Sequence, residues 1–382
     1  MRIGHFVSNF PSKIVSKQVY GAGRVAYNLC KELAHRGHNI HVFVPSTKSS
    51  IENYKDVSVH FYNSFLRIGI MYVSHKLFFD SLHYDVDIIH IHNDTPISVL
   101  AGLRYKRRKK KPLVVTWHGD WIENYGSFVR RIGVFISNRF LVDKVLSEAD
   151  VIITPSEHYI EESRFLKRYR EKTVEISNGI NLEDFNIPYS KEECKKILKM
   201  DSENIVLFLS ALYPLKGPHI LLKAIPEIVK KCKDVLFVFV GGGEVERYEK
   251  LAEQLGAQKY VRFTGYIEEK LKPLYYKAAD IFVLPSIETF EVFPVVLLEA
   301  SAAGLPMVVS DLKTFKCIIE EGYNGLFTKR GSEKDLADAI IYLLRNESTR
   351  KMMGKNAQKK VKAYSWKKIA EETEKVYKEL VK

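Results

Sequence analysis

Cysteine is scarce in this chain. Four stand in 382 residues, Cys30, Cys194, Cys232 and Cys317, and no two form a C-x-x-C pair. That excludes a disulfide framework and cysteine-held zinc, and leaves free thiols in a reducing cytoplasm. Long apolar runs are missing too: none approaches the roughly 20 residues that cross a bilayer as a helix. The chain enters a strand-like segment, MRIGHFV, at once. A secretory leader would show a basic and then an apolar stretch there, so a cytoplasmic protein is expected. Low-complexity tracts and short-period repeats are absent, which excludes solenoids and disordered arrays. Acid is in deficit: 46 Asp and Glu face 59 Lys and Arg, for a net charge of +13. The deficit is uneven, with 26 Lys and Arg against 17 Asp and Glu in residues 1–180. No helix-turn-helix, zinc or RNA-binding signature accompanies this charge, so nucleic acid is not the expected partner.

What remains is 46% hydrophobic and 27% charged, the makeup of a soluble globular protein, and the length suits two domains. Short runs rich in Val and Ile, at 2–7, 39–44, 87–91, 113–117 and 151–153, read as buried parallel strands. Helical patterns lie between them, such as 22–36, closed by Gly37. After a polar stretch, Asn181 to Lys195, the pattern restarts. Strands at 205–210, 235–240, 260–263, 281–284 and 307–309 alternate with helices at 217–232, 244–256, 268–278 and 294–303. Such alternation is doubly wound α/β. The last segment, from Ser365-Trp366 to Lys382, reads as an amphipathic helix.

The densest chemical signal runs from Pro285 to Asp311, where Glu291 and Glu299 stand eight positions apart, an E-x7-E spacing. Pro294 suits the opening of a helix, because its missing N–H would go unpaired there anyway. Glu299 then sits between one and two turns in. Both carboxylates reach one ligand near a helix N-terminus, which attracts an anion such as a diphosphate. Pro285-Ser286 precede the pair, and Glu299-Ala300-x-Ala302-x-Gly304-x-Pro306 follows. This stretch resembles the sugar-nucleotide site of retaining GT-B glycosyltransferases of family four, the group 1 glycosyl transferases, and the resemblance covers nearly the whole chain. It implies two Rossmann-like doubly wound domains facing a central cleft. These are an acceptor-binding domain over residues 1–185, a donor-binding domain over 186–362 and a helix over 363–382 that crosses back onto the first. It also implies an enzyme that moves a hexosyl unit from a UDP- or GDP-linked sugar to a glycan, lipid-linked or small-molecule hydroxyl, with no metal or other cofactor.

Carried onto this sequence, the resemblance gives Glu291 the donor-sugar hydroxyls and Glu299 the ribose. His118, where the strand Val115-Thr116-Trp117 runs into a loop, contacts the sugar. Lys216, before Gly217, pairs with the diphosphate as a compact cation. Gly21 and Gly23 belong to a glycine loop ahead of the first helix that closes over the diphosphate. Gly241 opens a second glycine loop near the phosphates. Gly265, Tyr266 and Ile267 meet the base through backbone groups, and Val292 and Phe293 offer backbone N–H groups to phosphate. One position departs from the pattern: Ala211 stands where the family has Arg, and Ser210 where it has Gly. An Arg–phosphate pair is often bidentate and strong, so either Arg24 or Arg262 replaces it or donor binding is altered.

Other readings of the same residues stay open. A non-catalytic sugar-nucleotide or glycan-binding protein on the same fold would explain Ala211. His90 and His92 share one face of a strand, and with Asp94, His118 and Asp120 nearby they invite a metallohydrolase. A dinucleotide site at Gly21-x-Gly23-x-x-Ala26 fails, because a dozen residues separate it from its strand and no acid follows the next one. The block Lys106-Arg107-Arg108-Lys109-Lys110-Lys111 is either a solvated helix end or a patch for the anionic inner face of a membrane. Residues 63–79 are either a membrane-surface helix or core.

Overall fold

The computed structural model describes residues 1–12, 21–69, 71–123, 127–287 and 292–381. The chain divides into two compact units, Met1–Gly179 with Trp366–Lys382, and Ile180–Ser365. The division falls at Gly179 and Ser365 rather than at 185 and 362, and packing explains the first of these. A side chain at Gly179 would lie 2.5 Å from the Trp366 ring, so the indole takes the space that glycine leaves.

In chain order the first unit holds β1 (Arg2–Phe6), α1 (Gly21–His35), β2 (Asn39–Ser46), β3 (Ser50–Tyr54), β4 (Val57–Asn63), β5 (Leu66–Ile68), β6 (Met71–Val73), α2 (His75–Phe79), β7 (Ile88–His92), α3 (Pro96–Lys109), β8 (Leu113–Thr116), α4 (Phe128–Phe140), α5 (Val142–Glu148), β9 (Val151–Thr154), α6 (Glu157–Glu162) and β10 (Thr173–Glu175). The second unit holds α7 (Lys191–Ile197), β11 (Asn204–Leu209), α8 (Pro218–Lys231), β12 (Val235–Val240), α9 (Val245–Gln254), β13 (Val261–Gly265), α10 (Lys272–Ala278), β14 (Ile281–Leu284), α11 (Val295–Ala302), β15 (Met307–Ser310), β16 (Gly325–Thr328), α12 (Glu333–Arg345) and α13 (Glu347–Val361). The last helix, α14 (Trp366–Leu380), belongs to the first unit.

The first sheet runs β10-β9-β8-β7-β1-β2-β4-β3 and the second β13-β12-β11-β14-β15-β16. Within these two sheets pairing is parallel except between β3 and β4. Strand order therefore reverses between β1 and β7 in one sheet and between β11 and β14 in the other. Ligands of open α/β sheets bind beyond the strand carboxyl ends at such reversals.

Two expectations change. Residues 63–79 form the β5–β6 hairpin and the short α2 rather than one surface helix. Gly69 turns the chain at φ +59°, and Ser74 opens α2 by accepting a hydrogen bond from Leu77 N. Strands β3, β4 and β10 also lie outside the apolar runs. Helix α14 buries Trp366, Ile369, Ala370, Thr373 and Tyr377. Its Glu374 accepts from Arg36 Nε and His38 Nε2, both at 2.9 Å, just beyond α1. Burial alone would push the Glu374 carboxyl up, but the bonds from Lys378, Arg36 and His38 prevail and hold it at about 2.

Candidate active site

At the β11–β14 reversal of the second unit, four strand-end segments are laced together. Residues 210–217 leave β11, and Ile287 N, beyond β14, donates to Leu215 O at 2.9 Å. Gly217 turns at φ +73°, and a Cβ there would sit 1.9 Å from Pro285 O. Only glycine permits that approach. Leu212 N donates to Gly242 O at 2.8 Å, and Gly241 N to Gly265 O at 2.9 Å. Gly241, Gly265, Tyr266 and Ile267 thus lie on neighbouring loops at the strand ends, with the Tyr266 ring exposed.

Lys216 is half-buried on this lattice, and desolvation pushes its ammonium down to about 8. An ammonium held away from water gains most from a bound anion. Glu299, on α11, is buried. It accepts from the Tyr276 hydroxyl at 2.8 Å, and Lys272 Nζ lies 3.5 Å from its other oxygen. Sequence reasoning missed Lys272 and Tyr276. They stand four apart on α10, and that spacing places them on one helix face. Pro294 caps α11 from outside, and the helix begins at Val295. The side chains of Val292 and Phe293 are buried, the latter beside the Tyr364 ring at 5.8 Å. Glu291 lies outside the described residues.

Ala211 is exposed. Arg262 does not replace the missing arginine: its guanidinium donates to Leu198 O and Lys199 O, each at 2.8 Å, and so closes the end of α7. Arg24 sits in the first turns of α1. Gly21 and Gly23 also lie in that helix rather than in a loop ahead of it. A Cβ at Gly23 would meet Asn9 Oδ1 at 2.1 Å, so glycine lets the helix start press on the segment after β1.

At the β1–β7 reversal of the first unit, the strand ends carry imidazoles. His5 pairs in register with His90. His5 Nδ1 lies 3.2 Å from His92 Nε2, and His92 Nδ1 lies 3.0 Å from His118 Nε2. His5 Nε2 is buried without a partner among the described residues. A bare lone pair is tolerated there better than an unpaired N–H. The chain is therefore assigned with His5 Nδ1–H donating to His92, His92 Nδ1–H donating to His118, and His118 presenting Nδ1–H. Burial pushes His118 down to about 4 and His5 to about 3, and His90 and His92 well below the ordinary imidazole value.

Ligand atoms of His5, His90 and His92 lie within 4.8 Å of one another, close enough for a metal ion, but the carboxylates of the metallohydrolase reading are committed elsewhere. His90 uses both nitrogens, on Thr116 Oγ1 at 2.6 Å and the Tyr377 hydroxyl at 2.5 Å. Asp94 accepts from Ser8 N, Ser8 Oγ, Thr95 N and Ser98 Oγ, all within 2.7 Å. Asp120 accepts from Trp117 Nε1, Ser163 Oγ and Arg164 N. These groups hold strand ends and loops together. The basic block is also partly neutralised. Lys106 bonds Asp150 at 2.7 Å, Arg107 pairs with Glu148, and Lys111 lies 3.7 Å from Asp85.

Two doubly wound parallel units with laced loops at their reversals define the GT-B class. A family model described as glycosyl transferases group 1 matches residues 190–360, and one described as glycosyltransferase family 4 matches residues 19–184. An uncharacterised glycosyltransferase of Methanocaldococcus jannaschii is 33% identical over 300 residues, 76% of this chain and 75% of the relative. The alpha-monoglucosyldiacylglycerol synthase of Streptococcus pneumoniae is 30% identical over 360 residues, 90% of this chain and 78% of the relative. The crystal structure of Anabaena HepE in complex with UDP-glucose shares the fold at TM-score 0.76 and 19% identity, over 100% of both chains. The chain belongs to the group 1 glycosyltransferases of family four and is a transferase.

Among the described residues, no helix is long and apolar enough to cross a membrane.

Proposed function

We propose that this enzyme is a retaining, metal-independent hexosyltransferase that uses a UDP-linked sugar and an acceptor hydroxyl on a lipid-linked glycan or glycolipid. The observation that carries the reading is Lys216, a half-desolvated ammonium at the β11–β14 reversal among glycine turns. It suits a diphosphate, whose charge grows as the glycosidic bond breaks. The start of α11 adds its N–H groups to that charge, so fixed positive groups stand where other transferases use a metal. The C1–O bond to the diphosphate breaks and the acceptor oxygen bonds C1 on the same face. The acceptor proton passes to the departing phosphate oxygen, and no covalent nucleophile is needed. Glu299 holds the ribose, Glu291 the sugar hydroxyls, and neutral His118 donates through Nδ1–H to a sugar oxygen. UDP is favoured because HepE is seen with UDP-glucose. A lipid-based acceptor is favoured because the Streptococcus pneumoniae relative is named for a diacylglycerol glycolipid.

The test is thermal melting with UDP, GDP, ADP, CDP or dTDP, with and without EDTA. A hundredfold excess over Kd stabilises the folded state by about 2.7 kcal/mol. UDP alone should raise the melt, EDTA should leave the rise intact, and Glu299→Ala should remove it. A rise that vanishes with EDTA overturns the metal-free reading, and a rise with another base overturns the donor.

A further inference from the structure

Helix α4 is built inside out. Its inward face is Arg130, Gly133, Val134, Ser137 and Asn138, a helical stripe that is mostly polar or small. Those polar groups tie it down: Arg130 donates to Ile122 O, and Asn138 Nδ2 to Trp121 O and Glu123 Oε1, each at 2.9 Å. The opposite face carries Phe128, Val129, Ile132, Phe135, Ile136 and Phe140, all exposed, with Phe128 at 74% and Phe140 at 67%. A helix folded only for its own unit would show the reverse arrangement, with the apolar stripe against the core. Contiguous apolar surface of this kind marks an interaction or membrane site.

Charge selects the occupant. The helix holds Arg130, Arg131 and Arg139 and no Asp or Glu. Arg131 and Arg139 are exposed, and the Arg139 guanidinium lies 5.4 Å from the Phe140 ring centroid. Long basic side chains beside an apolar face can seat their stems in it while the heads reach lipid phosphates. A second copy docked through the same helix would bring arginine against arginine with no acid between them. We propose that α4 lies in the interface of an anionic membrane, its Phe and Ile side chains in the acyl boundary and Arg131 and Arg139 on lipid phosphates. The inference gives the lipid-linked reading its surface, and it moves that surface from residues 106–111 to 128–140. Its test needs no sugar donor, so failure of docking and failure of transfer are separable.

The experiment is co-sedimentation of the full chain with phosphatidylcholine vesicles, with or without phosphatidylglycerol. Binding is expected to the anionic vesicles, and to fall roughly tenfold for each ring removed in Phe128→Ser, Phe135→Ser and Phe140→Ser. Arg131→Gln with Arg139→Gln should weaken it further, while Arg108→Gln, Lys109→Gln and Lys110→Gln should weaken it less. A Phe135→Trp variant supplies a second readout: its emission should shift to the blue and be quenched by brominated lipid. Absence of vesicle binding overturns the proposal. So does binding that survives the serine variants but is lost on neutralising 108–110. So does a concentration-dependent dimer, free of lipid, that the serine variants dissociate.

Discussion

At the strand reversal of the first unit stand His5, His92 and His118, each pushed by burial toward the neutral form. At the matching reversal of the second unit stands Lys216, a half-buried ammonium, with the buried carboxylate Glu299 on α11 and its donors Tyr276 and Lys272. Both sheets reverse strand order beside their first strand, and the chemistry differs. Neutral imidazoles can orient hydroxyls without competing for charge, whereas an ammonium and a helix start suit a diphosphate. On the proposed function, one fold used twice would separate recognition of uncharged groups from stabilisation of charge.

The severest test of this contrast is Lys216→Ala. Removing one preorganised positive group from a developing oxyanion typically costs a hundredfold or more, about 3 kcal/mol. Turnover should fall at least that far in steady-state assays with the melting temperature little changed, and near-normal turnover would break the contrast. The ammonium also titrates. Because desolvation holds it at about 8, raising the pH through that value discharges it in the free enzyme. UDP should therefore bind more weakly at pH 9 than at pH 7, and affinity that is flat across this range would remove Lys216 from the diphosphate.

A smaller effect should appear in the first unit's own ionic anchor. Glu374 sits at about 2 in the folded protein, below the ~4.3 of an unfolded glutamate. Its contribution is therefore complete above about pH 4.5 and drains away as the pH falls toward 2. Linkage puts that contribution at no more than about 3 kcal/mol, which solvent screening reduces. Glu374→Gln should lower stability by that order at pH 7 in urea unfolding, and the gap should close near pH 2. A gap that persists unchanged in acid would mean the loss is one of packing.

Much of the second unit was legible in the chain. Its strands are continuous apolar runs, and Gly217, Gly241 and Gly265 mark turns at their ends because backbone atoms crowd those positions or φ is positive. The first unit was harder to read. Strand β4 (VSVHFYN) alternates without a strong apolar run, and β3 is an antiparallel edge. Lys272 and Tyr276 serve Glu299 from another helix, a contact that no local spacing announces. Arg262 looked available because a lone Arg on a strand carries no sign of the carbonyls it will close. His5 was invisible as a functional candidate, since only strand register brings it beside His90 and His92.

A finer probe of the second unit is Tyr276→Phe. It deletes the hydroxyl that donates to Glu299 at 2.8 Å and little else. A hydrogen bond to a charged group is worth about 1.5–3 kcal/mol in general, but Glu299 keeps Lys272, so the loss should fall near the bottom of that range. UDP affinity should drop several-fold by calorimetry. Unchanged affinity would mean that the Glu299 orientation is set without Tyr276.

The gentlest prediction for turnover concerns His5, which touches no proposed ligand. If the imidazole chain runs from His5 through His92 to His118, the tautomer of His118 is fixed two residues away. Nitrogen-15 spectra of the wild type should then show His118 protonated at Nδ1, with Nε2 accepting from His92. Replacing His5 by Phe removes one buried nitrogen that has no partner among the described residues but leaves the buried His92 Nε2 without its donor, so stability should fall by about 1–3 kcal/mol. It also removes the donor that holds His92 in its tautomer, so His118 should become a mixture and kcat should fall a few-fold while the UDP Kd stays constant. His5→Gln, which can still donate to His92, should restore the wild-type spectrum. A His118 found protonated at Nε2 in the wild type would reverse the direction of the chain and leave Nδ1 an acceptor. The first unit would then still be neutral, but it would take a hydroxyl proton where the present assignment gives one.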